Sequence, residues 1–201
     1  MNRILSLLLI ALMAFVGFAC TETKQATAEE ETVSTETMAA ETASDVAFEV
    51  NVLNDSIPSP RKEMQATIDG VSVTVNYGSP SVKGRTIFGD LVPYDQVWRT
   101  GANEATILTV SKDATINGQA LPAGTYGFFT IPGESDWTLI FNKVSEQWGA
   151  YQYDEGEDQM RVKVTPMAAE ATSETLEFGV EEGKVVMMWS DLKVPFPVMG
   201  G

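Results

Sequence analysis

Met64-Gln65-Ala66-Thr67-Ile68-Asp69-Gly70-Val71-Ser72-Val73-Thr74-Val75-Asn76-Tyr77 decides the fold class. Met64, Ala66 and Ile68 alternate with Gln65 and Thr67. After Asp69-Gly70, Val71, Val73 and Val75 alternate with Ser72 and Thr74. Strict alternation is the mark of a strand with one buried face. Asp-Gly suits a two-residue type I′ turn, in which both central residues take positive φ. That turn pairs Ile68 with Val71, Ala66 with Val73 and Met64 with Val75, so all six apolar side chains share one face. The segment is predicted to be a hairpin covering a core.

Further strands follow at short spacing. Ala105 to Val110 is one. Asn117-Gly118 closes a second hairpin between Ala114-Thr115-Ile116 and Gln119-Ala120-Leu121. Thr125 to Ile131 and Trp137 to Lys143 flank Pro132-Gly133-Glu134. Both are apolar on two faces, which suits central strands. Met160 to Val164, Leu176 to Val180 and Val185 to Ser190 complete about nine strands, the last ending before Pro195 and Pro197. The expected fold is all-β: a single antiparallel β-sandwich or jelly-roll-like domain with one long ordered loop and little helix.

The domain is expected over 57–201, and what precedes it differs in kind. Arg3 and the apolar run Ile4 to Phe18 read as residues 1–19 of a signal peptide, too short for comfortable membrane spanning. Gly17-Phe18-Ala19 precedes Cys20, the only cysteine, and resembles a bacterial lipoprotein cleavage site, although Gly17 stands where such signals usually carry Leu. Cys20 is then the lipidation site and the membrane a partner through the N-terminal lipid; an ordinary secreted protein cut nearby is the alternative. Residues 20–56 are rich in Thr, Glu and Ala, with nine acids and one base, and are expected to be a disordered acidic tether.

The net charge of −15 therefore divides: tether and domain each carry −8, and the signal +1. Such acidity argues against nucleic acid as a partner, since phosphates need Lys and Arg. The chain has no histidine, which removes imidazole bases, Ser-His-Asp triads and histidine metal sites. One cysteine removes intrachain disulfides and iron–sulfur clusters. No cofactor and no metal site is expected. Asp154-Glu155-Gly156-Glu157-Asp158 gathers four carboxylates but lacks EF-hand spacing, and reads as a solvated acidic turn.

Gly78 to Asn103 has no convincing strand period. Loops beyond about 12–15 residues in compact domains are usually functional or disordered. This one holds Ile87, Phe88, Leu91, Val92, Tyr94, Val97 and Trp98, so it must pack. Tyr77-Gly78-Ser79-Pro80-Ser81-Val82-Lys83-Gly84-Arg85-Thr86-Ile87-Phe88-Gly89, Leu91-Val92-Pro93-Tyr94 and Val97-Trp98-Arg99-Thr100-Gly101-Ala102-Asn103-Glu104-Ala105-Thr106 resemble an uncharacterised bacterial family, the domain of unknown function 2911. Leu121-Pro122-Ala123-Gly124-Thr125-Tyr126 and Trp148-Gly149-Ala150-Tyr151 are similar to it as well. The resemblance covers about residues 60–165. It implies a secreted or lipid-anchored β-rich domain and no particular activity.

Two readings of the loop stay open. In one, Arg99 and Glu104, with Asn103, form a buried pair that returns the loop to the sheet. In the other, Arg85, Tyr94, Trp98, Arg99, Asn103 and Glu104 build a ligand site: arginine supplies forked donors and aromatic rings supply stacking surface. Trp148, Tyr151 and Tyr153 add an aromatic wall or pack a loop on the sheet edge. No nucleophile elbow is present, so catalysis would fall to carboxylates, and Glu104 is the one acid inside the specific motif. The leading expectation is an exported protein of the cell envelope, anchored at the outer membrane. It would be a non-catalytic module binding a small anionic molecule, a glycan or an envelope protein. A carboxylate-dependent hydrolase and a purely structural module are the alternatives.

Overall fold

The computed structural model describes residues 46–201. The expected signal peptide, Cys20 and most of the expected tether lie outside the described residues. Eleven strands are present among these: β1 (Phe48–Asn54), β2 (Arg61–Ile68), β3 (Val71–Gly78), β4 (Thr106–Val110), β5 (Ala114–Ile116), β6 (Gln119–Leu121), β7 (Gly124–Ile131), β8 (Trp137–Asn142), β9 (Asp158–Val164), β10 (Met167–Glu181) and β11 (Lys184–Gly200). They form two antiparallel sheets, ordered β1-β2-β3-β4-β7-β8-β9 and β10-β11-β5-β6. The described helix is one 3-10 turn, Glu155–Glu157. The all-β sandwich expectation holds.

The β2–β3 hairpin has the register that its alternation predicts. Ile68 faces Val71, Ala66 faces Val73 and Met64 faces Val75. All six side chains are buried. Asp69 and Gly70 have φ of 46° and 68°, as a type I′ turn requires. Asn117 and Gly118 close β5–β6 in the same way. Apolar residues from both sheets interlock in one core, among them Phe128 and Phe141 from the larger sheet and Phe178 and Phe196 from the smaller.

Two expectations need correction. The acidic tether is expected to run to residue 56, but Phe48–Asn54 is strand β1, paired with β2 at the sheet edge. Every side chain of β1 is exposed, so little burial marks it, although Phe48, Val50 and Val52 do alternate with Glu49 and Asn51. The last strand also does not stop at Ser190. β11 pairs with β10 as far as Lys193, then with β5 from Val198. Pro195 and Pro197 fall between the two ladders, where a missing N–H breaks no pairing.

The long loop between β3 and β4 is ordered and joins the sheets. The Val82 N–H donates to Glu174 O (2.7 Å) and Leu176 N–H to Pro80 O (2.9 Å), which ties its first half to β10. Trp98 and Thr130 exchange backbone bonds of 2.8 and 2.9 Å, which ties its second half to β7. Phe88 and Trp98 enter the core between Trp137 of β8 and Trp189 of β11.

Candidate functional site

The alternation that buries Met64, Val75 and Leu108 turns Arg61, Asn76 and Ile107 to the outer face of the larger sheet. A cleft of about 530 Å³ opens there. Leu53 and Asn54 of β1 and Ile57 form one wall; Arg61, Ala105 and Ile107 also line it. Ser145, Glu146, Gln147, Trp148 and Gln152 complete the lining.

Backbone pairing sets this part of the lining. Ala105 N–H donates to Gln147 O (2.9 Å), Gly149 N–H donates to Asn103 O (3.0 Å), and Glu104 bridges Trp148. These bonds pair the Glu104 and Trp148 backbones, and both residues line the cleft. Trp148 is 59% exposed. The Gln147 amide donates to Val144 O (2.8 Å), and its Oε1 is buried without a partner among the described residues.

Arg61 is the scaffold of the cleft. Its guanidinium donates to Asn76 O (3.1 Å), Ala105 O (3.2 Å) and Glu104 O (3.4 Å), and its Nε donates to Asn76 Oδ1. The Glu104 carboxylate lies 3.9 Å from Nη1. Burial lowers the Arg61 pKa from its ordinary value, and Glu104 opposes that shift. Nothing in the local sequence marks Arg61 for this role. It sits 43 residues from Glu104, and only the strand pairing brings the two together.

Of the six nominated residues, Glu104 lines the cleft. Asn103 takes φ of 63° and donates from Nδ2 to Ser59 O (3.4 Å). Trp98 is buried in the core, stacked on Trp189. Arg85 is exposed and folds back on its own turn, where Nε donates to Val82 O (3.0 Å) and Nη2 donates to Ser81 O. Tyr94 packs its ring against Gly89. Arg99 does not pair with Glu104; the ion pair of Glu104 is with Arg61. The Arg99 pKa is lowered by burial, with the Tyr151 phenol opposing.

The aromatic wall also divides. Tyr153 packs on Phe129, centroids 5.1 Å apart, in a small apolar cluster with Ala105 and Ile140. Trp148 and Tyr151 remain exposed. In the acidic turn, Asp158 accepts bonds from Tyr153, Arg161 and Asn142, and Asp154 caps the 3-10 turn through Gly156 N–H. Those carboxylates serve the turn.

Chemically, the cleft combines an exposed indole, aliphatic side chains, amides and two carboxylates, Glu104 and Glu146. Its single guanidinium is already bonded to carbonyl oxygens.

Comparison with curated proteins gives no match, and comparison with solved structures gives none either. The sequence profile of one family matches residues 59–198, which runs from just before β2 almost to the end of β11 and is longer than the stretch expected from the motifs. The chain belongs to that family, described as a protein of unknown function (DUF2911).

Proposed function

We propose that the protein is a binding module whose cleft takes a neutral glycan, held at the cell envelope by a lipid on Cys20. The observation that carries this reading is the exposed Trp148 side chain, which lines one cleft with the polar side chains of Glu104, Glu146 and Gln152. A sugar has an apolar C–H face and a rim of hydroxyls. An aromatic ring covers the face, and carboxylates and amides receive the rim. A small anion fits the cleft less well. Two carboxylates oppose it, and the donors of Arg61 are committed to Asn76, Ala105 and Glu104.

The test is a titration of the intact chain with neutral oligosaccharides, read by tryptophan fluorescence. Saturable quenching is expected, together with a saturable heat in calorimetry that is lost in Trp148→Ala with folding unchanged. Equal binding by Trp148→Ala, or no response to any oligosaccharide, defeats the reading. One observation favours a second reading: Glu104 and Glu146 share the cleft, and glycoside hydrolysis uses two carboxylates. Release of reducing ends from a bound oligosaccharide, abolished in Glu104→Gln, would establish the hydrolase instead. For the anchor, a Cys20→Ser variant is expected to leave the membrane fraction.

A further inference from the structure

Four arginines lie among the described residues, and three have acceptors within the chain. Arg61 binds Asn76, Ala105 and Glu104. Arg85 binds the carbonyls of Ser81 and Val82. Arg161 binds Asp158, Glu155 and Tyr153. Arg99 differs. Its Nε is buried with no acceptor, and its terminal nitrogens make no hydrogen bond or ion pair among the described residues. Those two nitrogens are not fully buried, and the residue as a whole is half-buried.

The surroundings add to this. Arg99 and the Tyr151 ring meet over Gly149: a Cβ placed there would lie 3.1 Å from Tyr151 Cε2 and 4.0 Å from Arg99 Cδ. Tyr151 is 86% exposed. No carboxylate of the chain lies in ion-pair range of Arg99 among the described residues. A half-buried guanidinium without a counter-charge has lost hydration and gained nothing in exchange. A planar anion restores that loss, because two parallel N–H donors match two carboxylate oxygens.

We propose that Arg99, beside Tyr151, is a receptor for the carboxylate group of a small ligand. The site is separate from the glycan cleft, whose walls do not include Arg99. The proposal stands whether or not the cleft binds sugar.

The test is a titration of the intact chain with acetate and with glucuronate, at constant ionic strength, against chloride and glucose. The readout is the arginine side-chain N–H spectrum. The chain has only five arginines, and Arg99 is assigned by the resonance missing in Arg99→Gln. A saturable shift of the Arg99 resonances is expected with both carboxylates and with neither control. Carboxylate affinity, read at the Tyr151 backbone amide, which every variant keeps, should weaken severalfold in Arg99→Lys, which keeps the charge but loses the fork, and vanish in Arg99→Gln. An unmoved Arg99 resonance, or a carboxylate response that persists in Arg99→Gln, overturns the proposal. Sulfate binding as tightly as acetate overturns the carboxylate assignment. Quenching of Trp148 by neutral sugar while carboxylates leave Arg99 unmoved overturns this proposal and leaves the cleft reading standing.

Discussion

Trp98 stacks on Trp189 with ring centroids 5.8 Å apart and 17° between planes. The contact joins the β3–β4 loop to the last strand, and through Trp137 and Phe88 it also reaches β8. The loop is thus a third partner in the core, and its specific motif is accounted for first by packing. Replacing Trp98 by Ala removes this wedge and leaves a cavity between the sheets. Such truncations cost about 3–5 kcal/mol. Urea unfolding of Trp98→Ala should show a midpoint lowered accordingly, while ligand response at Trp148 stays intact in the fraction that folds. A change under about 1 kcal/mol would contradict the core assignment.

The glycines of the motif answer to geometry in different ways. A Cβ on Gly78 would lie 2.1 Å from the carbonyl oxygen of Ala102, where the end of β3 meets the returning loop. Neither backbone has room to withdraw, since Ser79 N–H is bonded to Pro60 O and Thr106 Oγ1 to Thr100 O. Gly84 has φ of 68° and open space around it. Gly84→Ala should therefore cost about 1–2 kcal/mol from backbone strain alone. Gly78→Ala should cost several times more, or prevent folding. Parallel thermal melts of the two variants check the contrast, and equal losses would refute it.

Alkaline pH should unfold the protein through Tyr77. Its hydroxyl donates to Glu177 Oε2 (3.0 Å) and accepts from Phe178 N–H (3.3 Å), linking β3 to β10. Burial, with Glu177 nearby, raises its pKa far above the ordinary value of 10. In the unfolded chain the phenol loses its proton near pH 10, while the folded chain keeps it. The unfolded state then binds fewer protons, so stability is fully present below about pH 10 and falls as pH rises beyond it. Tyr153 is shifted the same way by burial and by Asp158, and adds to the slope. Urea midpoints measured from neutral to alkaline pH should fall above pH 10, less steeply in Tyr77→Phe. An unchanged slope in that variant would assign the effect elsewhere.

How much was legible differs by element for physical reasons. The β2–β3 hairpin was fully readable, because a two-residue turn with Asp69-Gly70 sets the register and one buried face reinforces it. β1 was missed because no face of it is buried, so its alternation lay unmarked at the end of an acid-rich stretch. The reach of β11 is hidden because proline ordinarily ends a paired strand. Pro195 and Pro197 sit where the strand changes partner, which only the tertiary arrangement reveals. The cleft was least legible. Glu104 and Trp148 each belonged to a recognised motif, but their bridge joins segments 44 residues apart in sequence. Arg61 opens β2 with no local signal of its role.

Trp148 gives a direct optical check on this arrangement. Of the four tryptophans, Trp98, Trp137 and Trp189 are buried at 9%, 0% and 1% exposure, while Trp148 is 59% exposed. Acrylamide should therefore quench one population readily and leave the rest protected. In Trp148→Phe the quenchable component should vanish and the remaining emission should shift to shorter wavelength. Stability should change by no more than about 0.5 kcal/mol, because an exposed ring contributes little to the core. If the quenchable fraction survives in Trp148→Phe, a core tryptophan is open to solvent and the packing of the loop against Trp189 is wrong. If it vanishes while neutral oligosaccharides still protect the wild-type emission, Trp148 itself is the covered ring.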